Sequence, residues 1–458
     1  MPVSIWWIRR DLRLDNNAAL EAAQKSGLLV LPVFILDDHL MKPSLSRRHR
    51  FLLEAIINLK EHLAARGSGV VIRRGDPLEK MRELVCETGA TSIFAEEDFT
   101  PYARQRDEVI KKHLPLKLTD GLTIHHPTAV LKPDGSPYTV FTAFSRKWRS
   151  LPVVFLSTRP RDCFLPANQI PYSDSMPEFA PVADFPGTRK EAETRLTRFI
   201  DASSHTYHEY RDRMDLDGTS GLSPYIRFGL ISASEVINRL RSDKITTLPA
   251  GFEVFNNELI WRDFYHSIIF HFPFVRETSF REEFRKLVWR NAPSDIQAWK
   301  EGRTGYPVVD AGMRQLKQTG WMHNRARMIT ASFLTKDLLI NWQEGEHWFM
   351  DQLVDGDLAA NNGGWQWAAG TGTDAAPYFR VFNPVIQGKK FDPYGDYVRR
   401  WLPELREIRG GRIHEPWLIP EYELARAGVQ LGVTYPLPIV NHSQARERAL
   451  HAYQSAGR

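Results

Sequence analysis

Short apolar runs alternate with amphipathic stretches over the first 130 residues. Val3–Ile8 and Leu28–Leu36 are apolar runs of strand length. Arg47–Ala65 places Phe51, Leu52, Ala55, Ile56, Leu59 and Leu63 on one helical face. Val70–Arg73 and Ser92–Ala95 read as further strands, Pro77–Thr88 as a helix opened by proline, and Tyr102–His113 as another helix. This alternation predicts an α/β domain over residues 1–130, a doubly wound parallel sheet with helices on both faces. Seven prolines fall between Pro152 and Pro186. Helices do not persist through such spacing, so residues 131–187 are expected to form a long interdomain linker. From residue 188 to 458 the apolar spacing is three and four. Arg189–Ala202, Ser232–Arg241, Phe252–Phe270, Pro307–Thr319, Arg325–Leu339 and His347–Leu353 carry it, without strands or repeats. An all-helical domain is expected there.

Composition narrows the class. Of 458 residues 42% are hydrophobic and 25% charged, which suits a globular chain and excludes disorder. Cys86 and Cys163 are too few for a disulfide framework or a four-cysteine cluster. No signal-peptide pattern opens the chain and no apolar run reaches about 20 residues, so a cytoplasmic protein is expected. The net charge of +5 permits a nucleic-acid partner without requiring one. Ten of the 13 tryptophans follow residue 260. Each buried indole needs an acceptor for its N–H, so this density bears on function as well as packing.

The α/β domain lacks two common nucleotide signatures. Gly67 and Gly69 have no third glycine in register, and no phosphate loop ends in Gly-Lys-Ser/Thr. His125 and His126 have no carboxylates at ligand spacing, so no metal site is expected. The informative stretch is Asp355-Gly-Asp-Leu-Ala-Ala-Asn-Asn-Gly-Gly-Trp-Gln-Trp367. It sets carboxylates, amides and glycines beside two tryptophans, a combination that makes poor core.

This stretch, with Gly320-Trp-Met-His-Asn-Arg-Ala-Arg-Met and Asn257-Glu-Leu-Ile-Trp-Arg-Asp-Phe-Tyr265, resembles the photolyase/cryptochrome family. The likeness runs from Trp7-Ile-Arg-Arg-Asp-Leu-Arg to Phe391-Asp-Pro, and is closest to microbial class I cyclobutane pyrimidine dimer photolyases. It implies FAD in the helical domain. Thr219, Ser220, Gly221, Leu222 and Ser223, a small hydroxyl-rich run before a helix, suit its diphosphate, and Tyr210 matches the family's tyrosine beside it. Arg327 and Asp355 match the ion pair near the flavin ring, with Gly356 and Asp357 at its polar edge. Asn361 matches the residue facing flavin N5, where many cryptochromes carry Asp or Cys. The resemblance, and not spacing, selects Trp289, Trp342 and Trp365 as an electron chain from the surface to the flavin.

The resemblance also implies a substrate pocket. Glu258 and Trp261 share a helical face, as do Asn324, Arg327 and Met328. Trp261 and Trp367 offer platforms for extruded bases, with Arg262 and Tyr265 beside them, and Glu258 suits thymine edges. Photolyases of (6-4) photoproducts typically place two His where this chain has Asn324 and Met328, so the cyclobutane dimer is the expected substrate. Arg213, Arg325, Arg380, Gln387, Lys389 and Lys390 are candidate phosphate contacts. In the N-terminal domain Phe34, Arg48 and Asp98 look like the antenna site of members carrying an 8-hydroxy-5-deazaflavin, with methenyltetrahydrofolate as the alternative. The expected partner is damaged duplex DNA, for a monomer without membrane or obligate protein partner. The expected activity is light-driven electron transfer from reduced FAD to a flipped dimer. The alternatives are a cryptochrome-like blue-light sensor and a nucleic-acid-binding module without chemistry.

Overall fold

A computed structural model describes residues 3–41, 44–155, 161–241 and 250–457. Contacts divide the chain into two compact units, Met1–His205 with Ser220–Pro273, and Thr206–Thr219 with Phe274–Arg458.

The first unit is built on a five-stranded sheet. Strands β1 (Val3–Ile8), β2 (Leu29–Leu36), β3 (Val71–Arg74), β4 (Ser92–Glu96) and β5 (Leu116–Thr119) lie in the order β3-β2-β1-β4-β5. Every pairing is parallel. All six residues of β1 are buried, as befits a strand covered on both faces. The helices Ala18–Lys25, Arg47–Ala64, Pro77–Thr88 and Pro101–Lys111 connect the strands. The first of these and β5 were not anticipated from the sequence. Asn17 caps the Ala18–Lys25 helix through Leu20 N, while β5 is only four residues long and half polar.

The expected linker is partly ordered structure. Phe141–Arg149 is a helix. Beyond it the prolines prevail, and the described residues up to 188 hold only the 3-10 turn Ala167–Gln169. Residues 156–160 of this stretch lie outside the described residues. Residues 163–174 lie along the sheet's β2–β3 side. Val30 exchanges backbone hydrogen bonds with Cys163 and Leu165 at 2.8 and 2.9 Å. Ser173 Oγ accepts from Ile72 N at 2.9 Å, and Asp174 Oδ2 from Arg74 N at 2.8 Å. Both satisfy N–H groups that an edge strand leaves open. The helices Arg189–Ala202, Ala233–Arg241 and Ala250–His271 complete this unit.

The second unit is helical among its described residues. Its main helices are Pro307–Thr319, Asn324–Ser332, Trp342–Gln352, Leu358–Ala369 and His442–Ala456. The single helix expected over Arg325–Leu339 is broken: after Ser332 the chain passes into a π-helical turn, Phe333–Asp337, and Leu339 takes a positive φ of 52°. The core here gathers Trp299, Leu316, Phe333, Trp342, Phe349, Trp365 and Trp401. No described helix is long and apolar enough to cross a membrane.

Candidate functional site

The polar stretch at 355–367 is not a surface loop. Asp357 is the N-cap of the Leu358–Ala369 helix, its Oδ1 accepting from Ala359 N and Ala360 N at 3.0 and 3.1 Å. This satisfies two orphan donors of the first turn. Two residues earlier, Asp355 Oδ2 pairs with Arg327 Nη2 at 2.8 Å. The carboxylate is buried and the guanidinium about a quarter exposed (3% and 26%). Arg327 Nε also donates to Met322 O at 2.8 Å, which fixes the plane of the guanidinium.

Asn361 lies in the second turn of the same helix. Its Nδ2 donates to Glu346 O at 3.0 Å, which leaves Oδ1 as an acceptor. Asn362 Nδ2 reaches Val275 O and Glu346 Oε1 at 3.0 and 3.1 Å, and Gln366 Nε2 donates to Val275 O and Asn362 Oδ1 at 2.9 and 3.2 Å. Sequence reasoning missed Glu346, Asn362 and Gln366. The available signal was two amides four apart, 362 and 366, which share a face in a helix whose other polar side chain is Asn361.

Burial pushes the Glu346 carboxyl up to about 7 from an ordinary 4.5, against the opposing pull of Asn362 and Arg276. A carboxyl raised on folding contributes stability that is complete below pH 4.5 and lost as pH rises through 7. The difference amounts to about 3 kcal/mol. Glu346→Gln keeps an acceptor for Asn362 and is expected to flatten the melting temperature between about pH 5 and 8. Equal pH slopes for the variant and the parent protein would show that Glu346 does not titrate there.

The tryptophans separate by face. Trp365 is buried against Phe349 and Trp299, with centroids 4.9 and 6.0 Å away, both edge-on. Trp367, two residues on and so on the other side of the helix, is only partly buried. Trp342 is buried at the start of the Trp342–Gln352 helix. Trp289 packs at the core margin, 6.3 Å from the Tyr453 ring. Tyr453 lies beneath Lys336 Nζ, which is 3.7 Å from its centroid; burial lowers this amine to about 7.

The expected substrate residues are distributed over both units. Asn324 and Met328 touch on the Asn324–Ser332 helix, with Nδ2 3.9 Å from Sδ. Three of the expected rim cations already have carboxylate partners: Arg213 pairs with Asp215 at 2.5 Å, Arg325 with Asp212 at 2.6 Å, and Lys389 with Glu415. Arg380 and Lys390 are exposed, and Gln387 Oε1 is buried without a hydrogen-bond partner among the described residues. Tyr210 is 40% exposed in the same unit, which also holds Thr219. In the first unit, Ser220, Gly221 and Leu222 lead into the short Ser223–Arg227 helix, with Gly221 at φ 61°. Glu258, Trp261, Arg262 and Tyr265 follow one another along the Ala250–His271 helix. Trp261 does not stand alone, because Phe141 lies flat on it with centroids 3.7 Å apart and planes 1° from parallel.

The sheet's ends complete the picture. Strand order reverses between β1 and β4, where open α/β sheets commonly bind ligands. Here the chain leaving those strands pairs its own charges: Arg9 with Asp107 at 2.6 Å, Arg13 with Glu96 at 2.8 Å and Arg10 with Asp98 at 3.5 Å. Burial opposes the Asp98 carboxylate, but Arg10, Thr100 N–H and Arg227 outweigh it and hold its pKa at about 2. Phe34 is buried in β2, and Arg48 lies on the Arg47–Ala64 helix. A cavity of about 540 Å³ is lined by Leu36, Met41, Leu45, Arg50, Arg74 and residues 177–179, with neither Phe34 nor Arg48 among its lining residues. No carboxylate stands at ligand spacing from His126 along the sequence, but the fold brings Glu97 and Asp120 within 4.8 Å of it, from the end of β4 and the turn after β5.

Two family descriptions match the chain: DNA photolyase over residues 4–161 and the FAD binding domain of DNA photolyase over 255–455. The deoxyribodipyrimidine photo-lyase of Escherichia coli is 41% identical over 100% of this chain and 99% of its own length. A bacterial class III photolyase structure from Agrobacterium tumefaciens superposes with a TM-score of 0.94 at 38% identity, covering 100% of this chain and 98% of that one. A cryptochrome from Synechocystis gives 0.89 at 28% identity, covering 99% of both.

Proposed function

Because the chain belongs to the DNA photolyase family, we propose that it is a lyase that uses light to split cyclobutane pyrimidine dimers in damaged duplex DNA. Residues 255–455 are its FAD-binding domain. FAD bound there supplies light absorption and one-electron chemistry. The polar groups fit that cofactor: a guanidinium donor held by Asp355, and an acceptor oxygen on Asn361 whose amide nitrogen is already engaged. An acceptor oxygen at Asn361 suits a ring nitrogen that carries hydrogen. Tyr210, Thr219, Ser220, Gly221, Leu222 and Ser223 hold the diphosphate in this reading.

The observation that carries the choice of substrate is the Asn324–Met328 contact. Neither side chain titrates near neutral pH, so this pair offers no acid or base, as a bond-splitting driven by an electron alone requires. Glu258 hydrogen-bonds the pyrimidine edges, and Trp261 and Trp367 stack the extruded bases. Flipping of the target base is the general strategy of photolyases as a class of base-modifying enzymes. Trp289, Trp342 and Trp365 resupply electrons. The rim cations meet phosphate by giving up Asp212, Asp215 and Glu415 for it. Binding is therefore a trade of partners and weakens as salt rises.

We assign residues 1–130 to antenna binding, 131–187 to the linker and 188–458 to catalysis. The antenna chromophore is a deazaflavin in this reading. The cavity beside β2 and β3 supports it, and Phe34, Arg48 and Asp98 are the chromophore's contacts, with Asp98 already paired with Arg10. The protein acts as a monomer in the cytoplasm, where its DNA substrate lies.

The test is repair. The reduced protein is mixed with a duplex carrying one thymine dimer and illuminated with blue light beside a dark control. Intact thymines are expected to return only in the light. A protein that binds flavin but restores none is a photosensor instead.

A further inference from the structure

The Phe141–Arg149 helix lies in the stretch that reads as linker, yet it is tied to the Ala250–His271 helix at several points. Trp148 Nε1 donates to Asp263 Oδ2 at 2.9 Å. Arg149 reaches Glu253 at 2.6 Å and Asn257 Oδ1 at 2.8 Å. Phe144 meets Phe264 edge-on at 5.2 Å. Phe141, Phe144 and Trp148 are spaced three and four apart, so one face of the short helix makes these contacts.

Phe141 is the last of these contacts and the least ordinary. Aromatic pairs favour offset or edge-to-face geometry over a parallel sandwich. Phe141 and Trp261 are nearly a sandwich, 3.7 Å apart and 1° from parallel. Two further rings beside Trp261 are not parallel to it: Phe264 is edge-on at 5.6 Å, and Tyr265 is tilted by 35° at 5.5 Å. The clamped helix therefore holds a flat ring against one face of the indole. A base that stacks on Trp261 has the opposite face to use.

We propose that Phe141 is a positioning residue of the base-binding platform, fixing the plane of Trp261 so that an extruded base stacks on one defined face. The proposal rests on the reading of Trp261 as a base platform. Stacking on an aromatic side chain depends on planar overlap. A Trp261 free to rotate about its side-chain torsions loses that overlap, while contacts to the DNA backbone are untouched.

The experiment measures dark affinity, by fluorescence anisotropy, of the flavin-loaded protein for a duplex with one thymine dimer and for the same duplex undamaged. Phe141→Leu keeps apolar bulk but not flatness. Phe141→Tyr keeps both. Phe141→Leu is expected to weaken binding of the damaged duplex by about tenfold, leaving the undamaged duplex unchanged. Phe141→Tyr is expected to bind both as the parent protein does. Trp261→Ala is the reference. If it loses affinity for damage and Phe141→Leu does not, the proposal is overturned while the platform reading stands. If Trp261→Ala loses nothing, the platform reading falls and takes the proposal with it. Loss of both duplexes in Phe141→Leu, or an equal loss in Phe141→Tyr, assigns Phe141 to packing alone and also overturns it.

Discussion

Arg327→Ala is expected to yield a protein that retains little flavin and is less stable by about 3 kcal/mol. The physical reason is asymmetry. Asp355 is buried and paired, and removing the guanidinium leaves its charge in a medium that solvates it poorly. Water reaches Arg327 itself, so the loss sits at the lower end of the range for a broken buried pair. The Arg327→Met, Asp355→Asn double variant removes the stranded charge and should recover much of the stability, a non-additivity expected of residues in contact. It should not recover flavin binding, because the Arg327 guanidinium is still missing. Urea unfolding and the flavin absorbance per chain separate the two effects. An Arg327→Ala protein with full flavin and an unchanged midpoint would remove this pair from the cofactor site.

Gly345→Ala is expected to abolish light-driven reduction of the oxidised flavin as completely as Trp365→Phe does, by a different route. A Cβ on Gly345 would stand 2.0 Å from Trp365 Cη2, 2.4 Å from Cζ3 and 2.6 Å from Cζ2. The indole must move against Phe349 and Trp299, which pack edge-on to it, and overpacking of this kind costs about 1–3 kcal/mol. The clash is with the six-membered ring that Phe at 365 would not place in the same volume. Gly345→Ala should therefore destabilise less in the Trp365→Phe background than in the parent. Repair by chemically reduced protein should survive in Trp365→Phe, because the tryptophans resupply electrons and do not touch the dimer in this reading. Bleaching of the oxidised flavin band under blue light reads the first effect, and thermal unfolding of the four variants reads the coupling. Photoreduction at the parent rate in Trp365→Phe would overturn the electron-chain assignment.

The sheet was legible because its strands are short apolar runs between amphipathic helices. Pro77–Thr88 came out with the predicted bounds, since proline opens it and Gly89 closes it with φ 64°. Elements with weak local signals were missed, among them β5 and the helix at Phe141–Arg149, which is held by side chains more than a hundred residues away. Most candidate site residues came from the family likeness. Periodicity placed Glu258 with Trp261 and Asn324 with Met328 on shared faces, but nothing local marked Glu346 as partner of Asn361 and Asn362. Its role arises from packing of the Trp342–Gln352 helix on Leu358–Ala369. The partners of Arg213, Arg325 and Lys389 were hidden for a similar reason. A basic residue two positions from an acid is common, and only the fold decides which pairs form.

The segment lying along the sheet's β2–β3 side bears on how the chain is made. Ile72 waits for Ser173, 101 residues later, and Val30 waits for Cys163. A chain emerging from the ribosome completes all five strands long before this covering segment appears. During that interval the open strand positions are templates for pairing with other nascent chains. A fragment ended at residue 130 would keep that exposure permanently. Pro166 and Pro171 carry no amide hydrogen, so at those positions the segment that closes the sheet cannot donate to a further strand.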